Sequence, residues 1–111
     1  MWLVTRYGFF SVVQKPGDKD LTIRARTRAD LEELRRQYLP EMGAIRTGEG
    51  TDYRYRASAT HTAFSEAVHR TIVDIDYANF KNTVSAEQGP ERAHVYSRVW
   101  DNLWALQDDH A

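Results

Sequence analysis

The stretch that decides the fold is residues 52–61, DYRYRASATH. One parity of this stretch carries tyrosines and then alanines, and the other carries arginines and then hydroxyl residues. Successive side chains of a β-strand point to opposite faces of a sheet. The alternation therefore predicts a strand over residues 52–60 that buries its tyrosines and alanines and exposes its arginines.

Two further strands are predicted ahead of this one. Residues 2–14, WLVTRYGFFSVVQ, are rich in β-branched and aromatic residues and indicate a single strand in which Gly8 marks a bulge or bend. Residues 15–20, KPGDKD, are dense in turn-forming residues. Residues 21–27, LTIRART, alternate again, so the first two strands are expected to pair as a hairpin.

Apolar residues at helical spacing predict the helices. Thr27 is expected to cap the first helix with Asp30 completing a capping box, and Pro40 ends it. A second helix is expected over residues 62–75, followed by a kink near Asp76 and a shorter helix. Gly89 and Pro90 begin the last helix, which is expected to run to about residue 107. Its predicted core stripe is Ala93, Tyr96, Val99, Trp100, Leu103 and Leu106.

The resulting order, ββαβαα, predicts an α+β fold in one domain spanning residues 1–111. A small antiparallel sheet would be covered on one face by amphipathic helices. A ferredoxin-like relative is the nearest familiar architecture, although the paired strands at the start and the paired helices at the end depart from it. Residues 46–51, RTGEGT, are expected to form a polar loop.

Composition and charge restrict the function classes. The chain has no cysteine, which excludes a disulfide scaffold and thiolate metal sites. Its net charge is −1, although residues 1–60 hold 11 basic and 8 acidic residues and residues 61–111 hold 4 and 8. The overall balance disfavours a general nucleic-acid binder. No stretch has the roughly 18 apolar residues of a membrane span, so a cytoplasmic protein with no membrane partner is expected.

The exposed parity of the strands forms an arginine-rich face, with these candidate binding residues: Arg6, Arg24, Arg26, Arg54 and Arg56. Three interpretations stay open: a solvated surface, a surface for an acidic protein or a second copy of the chain, and a nucleic-acid surface. Guanidinium groups bind phosphates and stack on bases. However, the tyrosines of residues 52–61 have the opposite parity, so aromatic and arginine side chains are not expected on the same open face.

Residues 74–81, DIDYANFK, are the densest polar-aromatic cluster. Asp74, Asp76 and Asn79 converge on a shared site only if the helix breaks between them; otherwise they mark a helix junction with Asp76 as a cap. His94 with Asp74 or Asp76 is the one acid–base pair worth testing. The histidines have no metal-ligand spacing, and no cofactor is expected.

The chain resembles a family of small bacterial proteins through its opening MW-x-x-T, the G-F-F-S that follows and a later D-Y-x-N-F-K. The resemblance implies a bacterial, soluble setting and supplies no activity and no functional residue. The leading hypothesis is a non-catalytic interaction module that binds itself or a protein partner through the open sheet face. The alternatives are nucleic-acid binding through the arginines and a small hydrolase or nuclease that uses Asp74, Asp76 and His94.

Overall fold

The computed structural model describes residues 1–48 and 52–107 and confirms the α+β class. Residues 49–51 of the predicted polar loop lie outside the described residues. In chain order the elements are β1 (Trp2–Thr5), β2 (Gly8–Val13), β3 (Leu21–Ala25), α1 (Arg28–Gln37), β4 (Arg46–Thr47), β5 (Tyr55–Ala59), α2 (His61–Val73), α3 (Phe80–Gln88) and α4 (Pro90–Leu103). A 3₁₀ turn, Trp104–Leu106, follows α4. The chain divides into two compact units, Met1–Asp76 and Tyr77–Ala111.

The first unit contains one antiparallel sheet with the strand order β1-β2-β3-β5-β4. The strands β1 and β4 therefore form its two edges. The short β4 falls within the predicted loop 46–51, where its two residues pair with Arg56 and Tyr55 of β5. Three consecutive strands at the start and the order of the sheet distinguish this unit from the ferredoxin-like βαββαβ pattern.

The prediction of a single strand over residues 2–14 is wrong, because the chain reverses direction at Arg6 and Tyr7. The hydroxyl of Thr5 accepts hydrogen bonds from the N–H groups of Tyr7 and Gly8, at 3.2 and 3.1 Å. A threonine side chain that bonds the backbone two and three residues ahead stabilises a turn without glycine or proline at its centre. Residues 2–13 therefore form the hairpin β1–β2.

Gly8 is required by close packing at the start of β2. A Cβ atom at this position would lie 2.8 Å from the ring of Phe10 and 2.9 Å from the carboxyl carbon of Asp30. Both neighbours are buried, so neither has free space to move into. The absence of a side chain at Gly8 lets the first turn of α1 approach the sheet, and the expected bulge does not form.

The core of the first unit lies between one face of the sheet and the helices α1 and α2. Cross-strand neighbours Ile23 and Ala57 are fully buried and point to this face together with Phe10. The helices contribute Leu31, Leu34, Phe64 and Ala67. Both helices begin at threonine caps, as Thr27 accepts from the N–H of Asp30 and Thr60 from the N–H of Ala63.

The second unit is built on α3 packed against α4. Asn79 caps α3 by accepting a hydrogen bond from the N–H of Asn82 at 2.9 Å. Gly89, with φ of 95°, ends α3, and Pro90 is the first residue of α4, as predicted. The ring of Phe80 stacks on that of Tyr96 with centroids 6.0 Å apart, beside buried Val84 and Ala93.

The predicted core stripe of α4 is correct only in its first half. Ala93 and Tyr96 are buried, whereas Trp100 is 63% exposed. The other exposed members of the stripe are Val99, Leu103 and Leu106. With a rise of 1.5 Å per residue, the nine-residue α3 is about 13 Å long and the fourteen-residue α4 about 21 Å. Because α3 is the shorter helix, it covers only part of the apolar side of α4.

Among the described residues, no helix has the length and apolarity needed to cross a membrane.

Candidate functional site

The sheet face opposite the core carries a continuous row of cross-strand neighbours. The register pairs Trp2 of β1 with Ser11 of β2, Ser11 with Arg24 of β3, Arg24 with Arg56 of β5 and Arg56 with Arg46 of β4. Directly paired residues point to the same side of a sheet. Three arginines on three adjacent strands therefore share one line across the sheet. Together with the side chains that contact them, they form what we call the arginine–aromatic face: Trp2, Phe9, Arg24, Arg26, Arg46, Tyr53 and Arg56.

Tyr53 contributes an aromatic ring to this face, which corrects the expectation that the tyrosines of residues 52–61 all lie opposite the arginines. The guanidinium carbon of Arg24 is 4.7 Å from the centroid of the Tyr53 ring, and that of Arg26 is 4.3 Å from it. The strand β5 begins only at Tyr55, so strand alternation does not govern Tyr53. Tyr55 keeps the predicted orientation and packs against the core.

Two more aromatic residues extend the face toward β1. Phe9 lies 6.4 Å from Tyr53 between ring centroids, and Trp2 meets Phe9 edge to face at 5.8 Å. Trp2 is 72% exposed and therefore presents most of its indole to solvent. Sequence reasoning did not place these two residues, because it treated residues 2–14 as one strand. Residues 6 and 7 are arginine and tyrosine and give no usual turn signal for the hairpin that brings Trp2 and Phe9 onto this face.

Two arginines of this face, Arg24 and Arg56, have only weak or incomplete contacts among the described residues. Arg56 is only 6% exposed; it forms an ion pair with Asp52 at 3.9 Å, and its Nε donates to the Tyr53 carbonyl at a long 3.5 Å. Arg24 donates from Nη2 to the Ser11 hydroxyl at 2.6 Å, while its buried Nε has no hydrogen-bond partner among the described residues. Like charges directly opposite on neighbouring strands are destabilising.

The remaining arginines of the face have defined contacts at its rim. Arg46 donates to the hydroxyl of Ser58 at 3.3 Å, and Arg26 donates to the main-chain carbonyl of Asp52. Both side chains are exposed, in contrast to Arg56. The row therefore has buried Arg56 at its centre, between half-buried Arg24 and exposed Arg46.

Two of the arginines predicted for this surface lie outside it. Arg6 sits in the β1–β2 turn, donates to the Tyr38 hydroxyl at 2.6 Å and lies over the rings of Tyr7 and Tyr38, which belong to the core. Arg54 is exposed just before β5, where its carbonyl accepts a hydrogen bond from Gly48. The sequence parity could not show that Arg6 occupies a turn, because it assumed an uninterrupted strand.

Arg6 belongs instead to a second polar cluster, at the ends of α1 and α2. The Tyr38 hydroxyl donates to the Asp74 carboxylate at 2.7 Å, and Arg70 donates to the Tyr38 carbonyl. The Tyr7 hydroxyl lies 3.0 Å from that of Thr71. Burial raises the pKa of both phenols, and the adjacent Asp74 raises the pKa of Tyr38 further. These contacts join the first hairpin to both helices, which is a structural role.

The other candidate residues are distributed over both compact units. Asp74 and Asp76 lie at the end of the first unit and are exposed, and Asp74 accepts from Tyr38. Asn79 is the cap of α3, and His94 is exposed on α4 in the second unit. Residues 1–48 and 52–107 contain no group of three or more histidine, cysteine or acidic residues that could hold a metal ion. A catalytic role of Asp74, Asp76 and His94 stays a prediction.

Comparisons with known proteins supply neither a family nor a structural template for the arginine–aromatic face. The chain matches no protein-family model, no curated protein and no solved structure.

Proposed function

We propose that the arginine–aromatic face binds single-stranded nucleic acid. The observation that supports this function is the cross-strand row Arg24–Arg56–Arg46, which continues through Ser11 to an exposed tryptophan. Guanidinium groups bind phosphate oxygens with charge-assisted hydrogen bonds, and aromatic side chains stack on unpaired bases. Sheet faces that recognise single-stranded RNA combine the same two elements.

The dimensions of the row fit a short stretch of an extended strand. Neighbouring strands of a sheet lie about 4.8 Å apart, so the five positions from Trp2 to Arg46 span roughly 19 Å. A nucleic-acid strand crossing the β-strands would place phosphates over the exposed arginines, Arg26 and Arg46, and an unstacked base against Trp2 at the other end. The sequence-independent chemistry of these contacts favours binding with little sequence preference.

The overall charge of −1 does not oppose this function, because the positive charge is local. Residues 1–60 carry a net +3 (11 − 8), and residues 61–111 carry a net −4 (4 − 8). An acidic protein would also be attracted to the arginines, but the exposed ring of Trp2 beside Phe9 is better suited to stacking on a base. The leading hypothesis from the sequence, binding of a second copy or of a protein partner through the open sheet face, would use this same surface and stays a prediction.

The test measures the affinity of the protein for fluorescently labelled single-stranded DNA and RNA of about 12 nucleotides at several salt concentrations. Fluorescence anisotropy is expected to show binding at about 50 mM salt that weakens steeply by about 300 mM. The double variant Arg26→Gln/Arg46→Gln removes two exposed cations of the face. It should lower the slope of log affinity against log salt by about 1.4, because each phosphate contact contributes about 0.7. Trp2→Ala should weaken binding by about 5- to 100-fold without changing the slope.

The matched control is Arg28→Gln/Arg36→Gln, which removes two cations from the exposed surface of α1. There they pair with Glu32 and Glu33. This control changes the net charge by the same amount and should leave the affinity nearly unchanged. Absence of binding at about 50 mM salt would rule out the proposed function. An equal loss in both double variants would show that only the total charge matters and not the face.

A further inference from the structure

The two edges of the sheet differ in how they are protected against pairing with another strand. The edge strand β4 has only two residues, one of which is the charged Arg46. Short edge strands and charged side chains are the usual protection of a sheet edge. The opposite edge, β1, has the sequence WLVT, with no charge, no proline and an uninterrupted register with β2. Within the described residues, β1 has a strand partner on one side only.

The hydrogen-bond pattern shows which main-chain groups of β1 point outward. Met1 and Val12 exchange both main-chain hydrogen bonds, at 2.9 and 2.8 Å. In an antiparallel ladder such pairs alternate with pairs that exchange none. Leu3 therefore bonds to β2, whereas the N–H and C=O groups of Trp2 and Val4 point away from the sheet. The side chains of Trp2 and Val4 lie on the same side of the sheet as the arginine–aromatic face, and they are 72% and 38% exposed.

We propose that the β1 edge pairs with the β1 edge of a second copy of this chain in antiparallel orientation. The two-fold axis passes between the Leu3 residues of the two copies. This register sets Trp2 opposite Val4 of the second copy, and Val4 opposite its Trp2. Each of these two pairs exchanges the outward-pointing hydrogen bonds on both residues. The edge is thus complementary to itself, which is the condition for a closed two-fold dimer.

The side chains and charges of the edge are compatible with this pairing. Trp2 packs beside Val4 of the second copy on the same face of the sheet, and both are apolar and exposed in the single chain. The Met1 amino group, already bonded to the Val12 carbonyl, lies beside the uncharged Thr5 of the second copy. Arg6 points to Tyr38 and away from the edge. No like charges are therefore brought together.

The expected dimer is weak and reversible. The exposed apolar surface of Trp2, Val4 and Met1 amounts to something on the order of 300 Å² per copy. Standard stable interfaces bury about 800 Å² per partner. We expect a dissociation constant on the order of 10–100 μM, which lies within the range of weak, transient complexes.

This inference rests on the sheet edge and holds whether or not the face binds nucleic acid. If both hold, the dimer has one continuous sheet with both arginine–aromatic faces on the same side. Two linked sites on one strand of nucleic acid bind more tightly than either does alone. The oligomeric state is therefore measured with the protein free of nucleic acid, so that the two proposals fail or succeed separately.

The test is sedimentation equilibrium of the full chain, without an N-terminal tag, from about 5 to 500 μM, a range that brackets the expected dissociation constant. The wild type should change from monomer to dimer across this range. Val4→Lys places a charge on the edge and should weaken the dimer at least about tenfold. Val4→Pro removes the outward N–H while keeping the bonds to β2, and should act in the same direction. Circular dichroism melts establish that each variant is folded.

The matched control is Val73→Lys, the same substitution at a residue that is 66% exposed at the end of α2. It should dimerise like the wild type. Hydrogen exchange adds a measurement without substitutions, since the amides of Trp2 and Val4 should become protected as the protein concentration rises. A wild type that stays monomeric would overturn the proposal and leave the edge to a strand of another protein. A dimer that survives in Val4→Lys, or is lost in Val73→Lys, would place the contact on a different surface.

Discussion

Replacing Asp30 by alanine tests how the sheet is completed where two strands stop pairing. The pairing of β2 with β3 begins at Ser11 and Arg24, so the N–H of Phe9 has no strand partner on that side. The Asp30 carboxylate, in the first turn of α1, accepts this hydrogen bond at 2.9 Å. Asp30 is only 4% exposed. Its side chain therefore acts as a substitute for the missing strand.

The cost of Asp30→Ala follows from two of its interactions. A hydrogen bond to a charged group contributes about 1.5–3 kcal/mol. A carboxylate in the first turn of a helix adds about 0.3–1 kcal/mol through the helix dipole. The free energy of unfolding should therefore fall by about 2–4 kcal/mol. For a domain with a typical 5–15 kcal/mol of stability, this variant stays folded but unfolds at clearly lower denaturant concentration.

The assay is urea unfolding followed by far-ultraviolet circular dichroism. Asp30→Asn keeps a carbonyl acceptor of similar shape but loses the charge, and should cost about half as much as Asp30→Ala. Glu32→Ala removes an exposed carboxylate two residues further along α1, where it forms an ion pair with Arg28, and should cost about 0.5 kcal/mol or less. If Asp30→Ala were no more destabilising than Glu32→Ala, the carboxylate would not be completing the sheet and the reasoning would be refuted.

Two further predictions concern α4 and the buried phenols. Trp100→Ala should lower the free energy of unfolding in urea by less than about 1 kcal/mol, because Trp100 is 63% exposed, with a ring contact to Trp104. A loss of about 3–5 kcal/mol would indicate a core tryptophan instead. The pKa values of Tyr7 and Tyr38 are raised in the folded state, so the unfolded chain releases its phenolic protons first. The contribution of these two phenols to stability should therefore be fully present below about pH 10 and be lost above it. Tyr38→Phe should make this decline shallower in urea titrations between about pH 8 and 11, and an unchanged decline would contradict the assignment.

The fold class could be predicted from the sequence because the hydrophobic residues of the helices and strands here recur with helix and strand periods. The alternation in residues 21–27 and 55–59 and the caps at Thr27 and Gly89 are local signals that the structure retains. The hairpin turn at residues 6 and 7 could not be predicted, because it is stabilised by the Thr5 side chain and lacks the usual turn residues. The role of Asp30 depends on a contact between distant segments, whereas sequence reasoning considered only its own helix.

About half of the arginine–aromatic face could be predicted from the sequence. The parity of the strands placed Arg24 and Arg56 on one side, and the register confirms that they are neighbours. The positions of Tyr53 and Phe9 follow from where strands begin and which strands pair, and neither property is encoded in a short stretch of sequence. The partial burial of α4 likewise depends on the length of α3, its partner.

The stacking of Arg24 and Arg26 on Tyr53 has a consequence for the energetics of binding. An arginine that is free in solution loses rotamer freedom when it grips a phosphate, which costs about 0.5–1.5 kcal/mol per side chain. Here two guanidinium carbons already lie over one ring, 4.7 and 4.3 Å from its centroid, in the chain without a ligand. That ordering cost is met during folding. If the face binds nucleic acid as proposed, association should therefore proceed without a rearrangement of these two side chains.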